Sequence, residues 1–252
     1  MEAWKSVAYK FIDTCEFKDS IECAFITGSY ASGNADEFSD VDLHLVLRDE
    51  VQWRERGNRL VDGFHVEYFA NPARQLRRDI INNYNARVLV ISNMLENGVV
   101  LFDRTGIFEV LTEECRQQNR NGFPPLEQAR KHMSFYHVWN DFDELTRAYR
   151  NNSLDFKMLY SHFGINIMYT YSQFVQTPLP PRHQLYRWLT DTQFRSNYKL
   201  PPFGDDKFTE LMVQFFADGD NGALYRHAEA MYGYVQKALG FDIYSFSSRN
   251  EC

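Results

Sequence analysis

Apolar and polar residues recur at two different periods along this chain, and the change of period divides it. Trp4, Val7, Ala8, Phe11, Ile12 and Cys15 recur at threes and fours, which predicts an opening helix over 3–17 packed against a core. A strand is expected over 22–27, where the apolar run Ala24 to Ile26 ends in Thr27-Gly28-Ser29 and turns sharply. Polar residues Tyr30 to Ser39 follow, and a second strand is predicted from Asp40 to Leu47. In it Val41, Leu43, Leu45 and Leu47 share one face, and Asp40, Asp42, His44 and Val46 share the other. Residues 51–59 are mixed and charged and suggest a short helix, and 60–63 suggest a strand end or turn. Phe64 to Phe69 reads as a strand stopped by Asn71-Pro72. Leu76, Ile80, Ile81, Tyr84, Val88, Ile91 and Leu95 predict one helix over 73–97, capped by Asn97-Gly98. A buried strand over 99–102 comes next, ended by Asp103-Arg104-Thr105-Gly106, where Asp103 reads as a turn former.

From Ile107 onward the period is helical almost throughout. Helices are expected over 107–119, 126–151, 154–176, 184–190, around 205–217, and over 223–239. Breaks fall at Asn121 to Pro125 and at Thr177 to Pro181. Two domains follow, cut near residue 110: an α/β unit over 1–110 with a sheet, and an all-helical unit over 111–252. The aromatic stripe from Tyr160 to Phe174 reads as core rather than as a stacking pocket.

The chemistry sits where the first two strands meet. Asp40 and Asp42 are one pleat apart on the same face, so they repel, and a cation between them relieves the repulsion. Magnesium suits the pair because it prefers carboxylate oxygen and water and often bridges to phosphates. Gly28 lets the backbone approach a ligand closely, and Ser29 adds a hydroxyl. His44 follows on the same face, but a magnesium centre prefers oxygen, so the imidazole is not expected as a ligand.

An apolar strand, Gly-Ser, ten residues and then Asp-x-Asp in a second apolar strand resembles the signature of the nucleotidyltransferase superfamily, the polymerase-β-like fold. The layout resembles most the bacterial kanamycin- and streptomycin-type aminoglycoside nucleotidyltransferases. Gly28, Ser29, Asp40 and Asp42 match position by position, over about a sixth of the chain. The resemblance implies an α/β (α+β) catalytic domain with a mixed sheet over 1–110 and a helical substrate-binding domain over 111–252. It implies that Gly28 and Ser29 seat a triphosphate. It further implies that Asp40, Asp42 and a third carboxylate on the next strand, Glu67, hold two Mg²⁺ ions. The implied reaction moves a nucleoside monophosphate, AMP from ATP, onto a hydroxyl of a small acceptor, an aminoglycoside-like antibiotic being the one the layout suits. Among relatives the general base comes from outside the Asp-x-Asp strand. Asp141 and Glu144, three apart on the first long helix, are the best candidates. Lys157 and Arg187 are candidates to meet the departing pyrophosphate. A homodimer is an expectation from resemblance alone. The alternatives are an enzyme that adenylylates a protein, as in antitoxin-type relatives, and a non-catalytic nucleotide-binding relative.

Composition narrows the rest. Hydrophobic residues make up 44% and charged residues 24%, as in globular proteins. No apolar run approaches the roughly 18 residues of a membrane span. Met1 to Lys5 carries no signal-peptide pattern, and the four cysteines show no CxxC spacing, so a reducing cytoplasm is expected. The net charge of −7 argues against a nucleic-acid partner; it suits a cationic small substrate, but keeping the protein soluble is the reading preferred for it.

Overall fold

The computed structural model describes residues 2–120, 122–124 and 126–240, and Asn121 and Pro125 of the expected break lie outside that range. The chain forms two compact units, one of residues 1–123 with 192–200, the other of 124–191 with 201–252.

The first unit opens with α1 (Ala3–Thr14), followed by β1 (Ile21–Thr27), the one-turn α2 (Gly28–Ser32) and β2 (Val41–Leu47). A hairpin of β3 (Glu55–Val61) and β4 (Phe64–Pro72) comes next. Then come α3 (Ala73–Ala86), α4 (Val90–Asn97), β5 (Val99–Asp103) and α5 (Ile107–Asn119). The five strands lie in the order β3-β4-β2-β1-β5. Only the β2–β4 pairing is parallel, so the sheet is mixed, as expected from the sequence.

Both faces of the sheet are covered. Val7, Phe11 and Ile12 of α1 pack on Val41, Leu43, Leu45 and Leu47, the leucine face of β2. Leu76 and Ile80 of α3, Leu95 of α4 and Leu111 of α5 pack on Cys23, Phe25 and Val46 of the opposite face. An irregularity in β1 between Ile21 and Cys23 lets Ile21 and Ala24 point to the same side, which strict alternation forbids.

The structure corrects the local reading twice. The short helix expected over 51–59 is absent, and β3 occupies Glu55–Val61. This edge strand is exposed along most of its length, so it carries no hydrophobic period, and its pairing with β4 sets its conformation. The helix expected over 73–97 is two helices. The break falls at Arg87, whose left-handed φ of 57° ends α3. The Arg87 and Val88 amides then close back onto the Tyr84 and Asn83 carbonyls, and the Asn83 side chain accepts the Ile91 amide in the first turn of α4. Asp103 is structural, as expected: its carboxylate accepts the amides of Gly106, Ile107 and Phe108 and starts α5.

The second unit holds α6 (Gln128–Arg150), α7 (Phe156–Phe174), α8 (Leu185–Thr190), α10 (Asp206–Phe215) and α11 (Asn221–Leu239). The short α9 (Thr192–Asn197), which the sequence reading does not foresee, belongs to the first unit. The aromatic stripe of α7 is core: Tyr160, Phe163 and Tyr171 are buried. Aromatic pairs hold the helices together, with Phe142 stacked on Tyr232 at 4.3 Å and Tyr160 on Phe215 at 4.1 Å. Gly164 leaves the space that the Phe215 ring occupies.

Asp205 ties three elements together. It caps α10 by accepting the Phe208 amide at 2.9 Å, and it accepts the hydroxyls of Tyr171 of α7 and Tyr234 of α11. Burial pulls its carboxyl up, but the hydrogen bonds outweigh burial and hold it below the usual carboxylate value. Its contribution is therefore complete at neutral pH and is lost as pH falls below about 4 and through the depressed folded-state value. Asp205→Ala should cost about 2 kcal/mol or more in urea unfolding at pH 7, and the gap to the native protein should shrink at pH 3. An equal gap at both pH values would show that the carboxylate's charge contributes nothing.

Candidate active site

The site is built from two rows of residues that cross the sheet. In the first row the register places Thr27 of β1 opposite Asp42 of β2, Asp42 beside Glu67 of β4, and Glu67 opposite Asn58 of β3. In the second, Phe25 lies opposite His44, His44 beside Phe69, and Phe69 opposite Arg56. All lie on the face that α3, α4 and α5 cover, because their positions alternate with the leucine face.

The second row forms a stack beside the first. His44 is sandwiched between Phe25 and Phe69, with both ring separations at 4.9 Å and the planes within 16° and 9°. The Arg56 guanidinium continues the stack, 5.6 Å from the centre of the Phe69 ring. His44 is buried, and burial drives its pKa down to about 3, so the imidazole is neutral at physiological pH. Its Nε2 hydrogen-bonds the Thr27 hydroxyl at 3.0 Å, which ties the end of β1 to β2. His44 thus props the sheet beside the carboxylates.

Asp40, Asp42 and Glu67 converge. One carboxylate oxygen from each lies within 4.8 Å of the others. Burial raises the Asp42 pKa to about 6, and the charges of Asp40 and Glu67 push in the same direction. Such a set of hard oxygen donors suits a small divalent cation.

Gly28 closes the site from the β1 side. Its φ is +68°, and a Cβ built there overlaps the Asp42 carboxylate, with Asp42 Cγ only 3.0 Å away. The residue is glycine both for its backbone conformation and for the room that Asp42 needs. Ser29 follows in α2, and its carbonyl accepts the amide of Asn34. Asn34 in turn accepts the Asn197 side-chain amide at 3.2 Å, so the returning segment 192–200 is bonded to the loop between α2 and β2.

All five residues singled out by sequence therefore lie at one end of the sheet, where Thr27, β2 and β4 meet. The candidate bases lie in the helical unit. Asp141 is held by the Asn166 amide at 2.7 Å and lies 3.7 Å from His162 Nε2, while Glu144 accepts the Asn140 amide. Arg187 of that unit pairs with Asp191. The sequence reading did not find the stack of Phe25, His44 and Phe69, nor Arg56 and Asn197. Phe25, His44 and Phe69 become neighbours only once the strand order is known, and Arg56 sits in a segment with no period.

Comparison with known proteins bears on the first unit. Residues 9–106 match a family model described as "Polymerase beta, Nucleotidyltransferase". The match spans all five strands and includes Gly28, Ser29, Asp40, Asp42 and Glu67. It supports the nucleotidyltransferase superfamily and a generic nucleotidyl transfer activity for this segment. No curated protein matches the chain. Among solved structures, the chain is similar to a nucleotidyltransferase-like protein from Exiguobacterium sibiricum, with 12% sequence identity over 94% of this chain and 74% of that one and a TM-score of 0.45. Among the described residues no helix is long and apolar enough to cross a membrane.

Two substitutions test this geometry without any substrate. Asp42 has a folded-state pKa above its unfolded value, so its charge destabilises the fold once pH rises above about 4, with the full effect above about 6. Asp42→Asn should therefore raise the melting temperature of the metal-free protein by a few degrees at pH 7.5 and by much less at pH 4. Gly28→Ala should instead lower it at both pH values, through left-handed strain of about 1–2 kcal/mol and the displaced carboxylate. Calorimetry on the two variants checks both signs.

Proposed function

We propose that this protein is a Mg²⁺-dependent nucleotidyltransferase that moves a nucleoside monophosphate, AMP from ATP, onto a hydroxyl of a small acceptor and releases pyrophosphate. The observation that carries this reading is the convergence of Asp40, Asp42 and Glu67 beside the Gly28 turn, inside the segment that matches the family model.

In this reading Asp40 and Asp42 hold the metal ions, with Glu67 on the second. Metal bound there neutralises charge on the triphosphate and polarises the phosphoryl oxygens. Gly28 and Ser29 seat the triphosphate, because the turn presents backbone with no side chain between it and Asp42. The acceptor oxygen forms a bond to the α-phosphorus while the bond from that phosphorus to the β-bridging oxygen breaks, and pyrophosphate leaves with the bond's electrons. The hydroxyl proton passes to a carboxylate base.

A second feature supports a cationic, amine-bearing acceptor such as an aminoglycoside. A hollow of about 370 Å³ is lined by Tyr30, Asp36, Glu37, Phe38, Asp62 and Phe64, among other residues. Two of its lining residues flank the motif in sequence: Tyr30 follows Ser29, and Ser39 precedes Asp40. Its rings and carboxylates suit a cation with apolar faces, and Phe38 is 87% exposed at its edge.

The direct test is pyrophosphate release from each of the four NTPs with Mg²⁺, against a panel of aminoglycosides and lincosamides. Release should require one acceptor and should fall by about a hundredfold or more in Asp40→Asn and Asp42→Asn, since losing an outer-sphere partner of a metal already costs about ten- to hundredfold and these are direct ligands in this reading. Release that survives both substitutions would contradict the reading. Release that needs a protein acceptor instead would move the assignment to protein adenylylation.

A further inference from the structure

One cation reaches the carboxylate trio, at Glu67 alone. Arg56 Nη2 lies 3.6 Å from Glu67 Oε1, and among the described residues this is the only ion pair made to Asp40, Asp42 or Glu67. The pair is uneven: the Glu67 side chain is 26% exposed and that of Arg56 is 77% exposed. The register explains how Arg56 reaches it. Asn58 is directly opposite Glu67, and Arg56 is two residues earlier on the same face of β3, opposite Phe69. The guanidinium lies over the Phe69 ring and from there meets Glu67 diagonally.

Asp42 and Glu67 are neighbours in the parallel β2–β4 pairing, whereas Arg56 stands on the edge strand with solvent around it. A divalent ion that draws on Glu67 therefore competes with a guanidinium for the same carboxylate, and a displaced guanidinium can turn to water while keeping its contact with the Phe69 face. Arg56 also places a positive charge next to the point at which a second positive charge must enter.

We infer that Arg56 is a positioning residue that latches Glu67: it holds the third carboxylate while the site lacks metal and releases it when a divalent cation binds. This rests on the metal-holding role proposed above for Asp40, Asp42 and Glu67. Glu67 is then the conditional member of the trio, while Asp40 and Asp42 form the standing pair. Metal affinity is set below what three free carboxylates would give, and the edge strand, which contributes no carboxylate, tunes it.

The test is a titration of the full-length protein with Mn²⁺ alone, followed by the electron paramagnetic resonance signal of free Mn²⁺. The native protein is compared with Arg56→Ala, Arg56→Lys, Glu67→Gln and Asp42→Asn, and melting temperatures are taken as the control for folding. Arg56→Ala should bind Mn²⁺ about three- to tenfold tighter at low salt, Arg56→Lys should stay near the native value, and the gain should shrink at 0.5 M salt. In a Glu67→Gln background most of the Arg56→Ala gain should disappear, leaving only the through-space effect of the guanidinium charge. Native-like or weaker binding by a folded Arg56→Ala, with Asp42→Asn losing binding, would overturn the latch and leave the metal site standing. No Mn²⁺ binding by the native protein up to millimolar concentration would overturn both.

Discussion

Three carboxylates are held within reach of one another at one end of a sheet, and that repulsion is the constraint around which the first unit is arranged. Two come from one strand, Asp40 just before β2 and Asp42 within it, and the third comes from β4 through the one parallel pairing in the sheet. A parallel pair fixes register over a run from Val41↔Val66 to Leu47↔Pro72, so Glu67 has no freedom to slide away from Asp42. The leucine face of β2 pins that register by burial against α1, since a one-residue slip would turn Asp42 and His44 toward α1 and the leucines away from it. Burial raises the Asp42 pKa, and the charges of Asp40 and Glu67 push it in the same direction.

The support beneath the carboxylates is apolar and aromatic. His44 could have been a polar liability inside the sheet. Instead it stays neutral, stacks between Phe25 and Phe69, and spends one ring nitrogen on Thr27, the last residue before the Gly28 turn. Strand β1 thereby delivers the turn at a fixed height relative to Asp42, and glycine is the only residue that leaves both the turn and the carboxylate in place. The residues proposed for triphosphate and metal are in this way positioned by one continuous set of contacts across β1, β2 and β4.

Much of this was legible in the sequence because it is local. The Gly28-Ser29 turn, the alternation from Val41 to Leu47, and Asp40 with Asp42 on the other face are patterns within one or two elements, and the strand from Phe64 carries Glu67 at an alternating position. What was not legible is non-local. The edge strand β3 is exposed on both faces and takes its shape from β4, so residues 51–59 carry no strand period and nothing in the sequence marks Arg56. The break at Arg87 leaves the three-and-four spacing of apolar residues nearly intact, so one helix was expected where two exist. The return of residues 192–200 to the first unit, with Asn197 bonded to Asn34, joins positions far apart in the chain and leaves no periodic trace.

The central claim is that Asp40, Asp42 and Glu67 form a metal centre next to a triphosphate seat at Gly28 and Ser29. Diffraction from crystals grown with Mn²⁺ and a non-transferable ATP analogue, recorded for anomalous scattering, tests it most directly. The account predicts an anomalous peak bounded by carboxylate oxygens of Asp40 and Asp42, with the analogue's phosphates against the Gly28 turn. A peak elsewhere, or phosphates bound away from that turn with no metal between the aspartates, would contradict it.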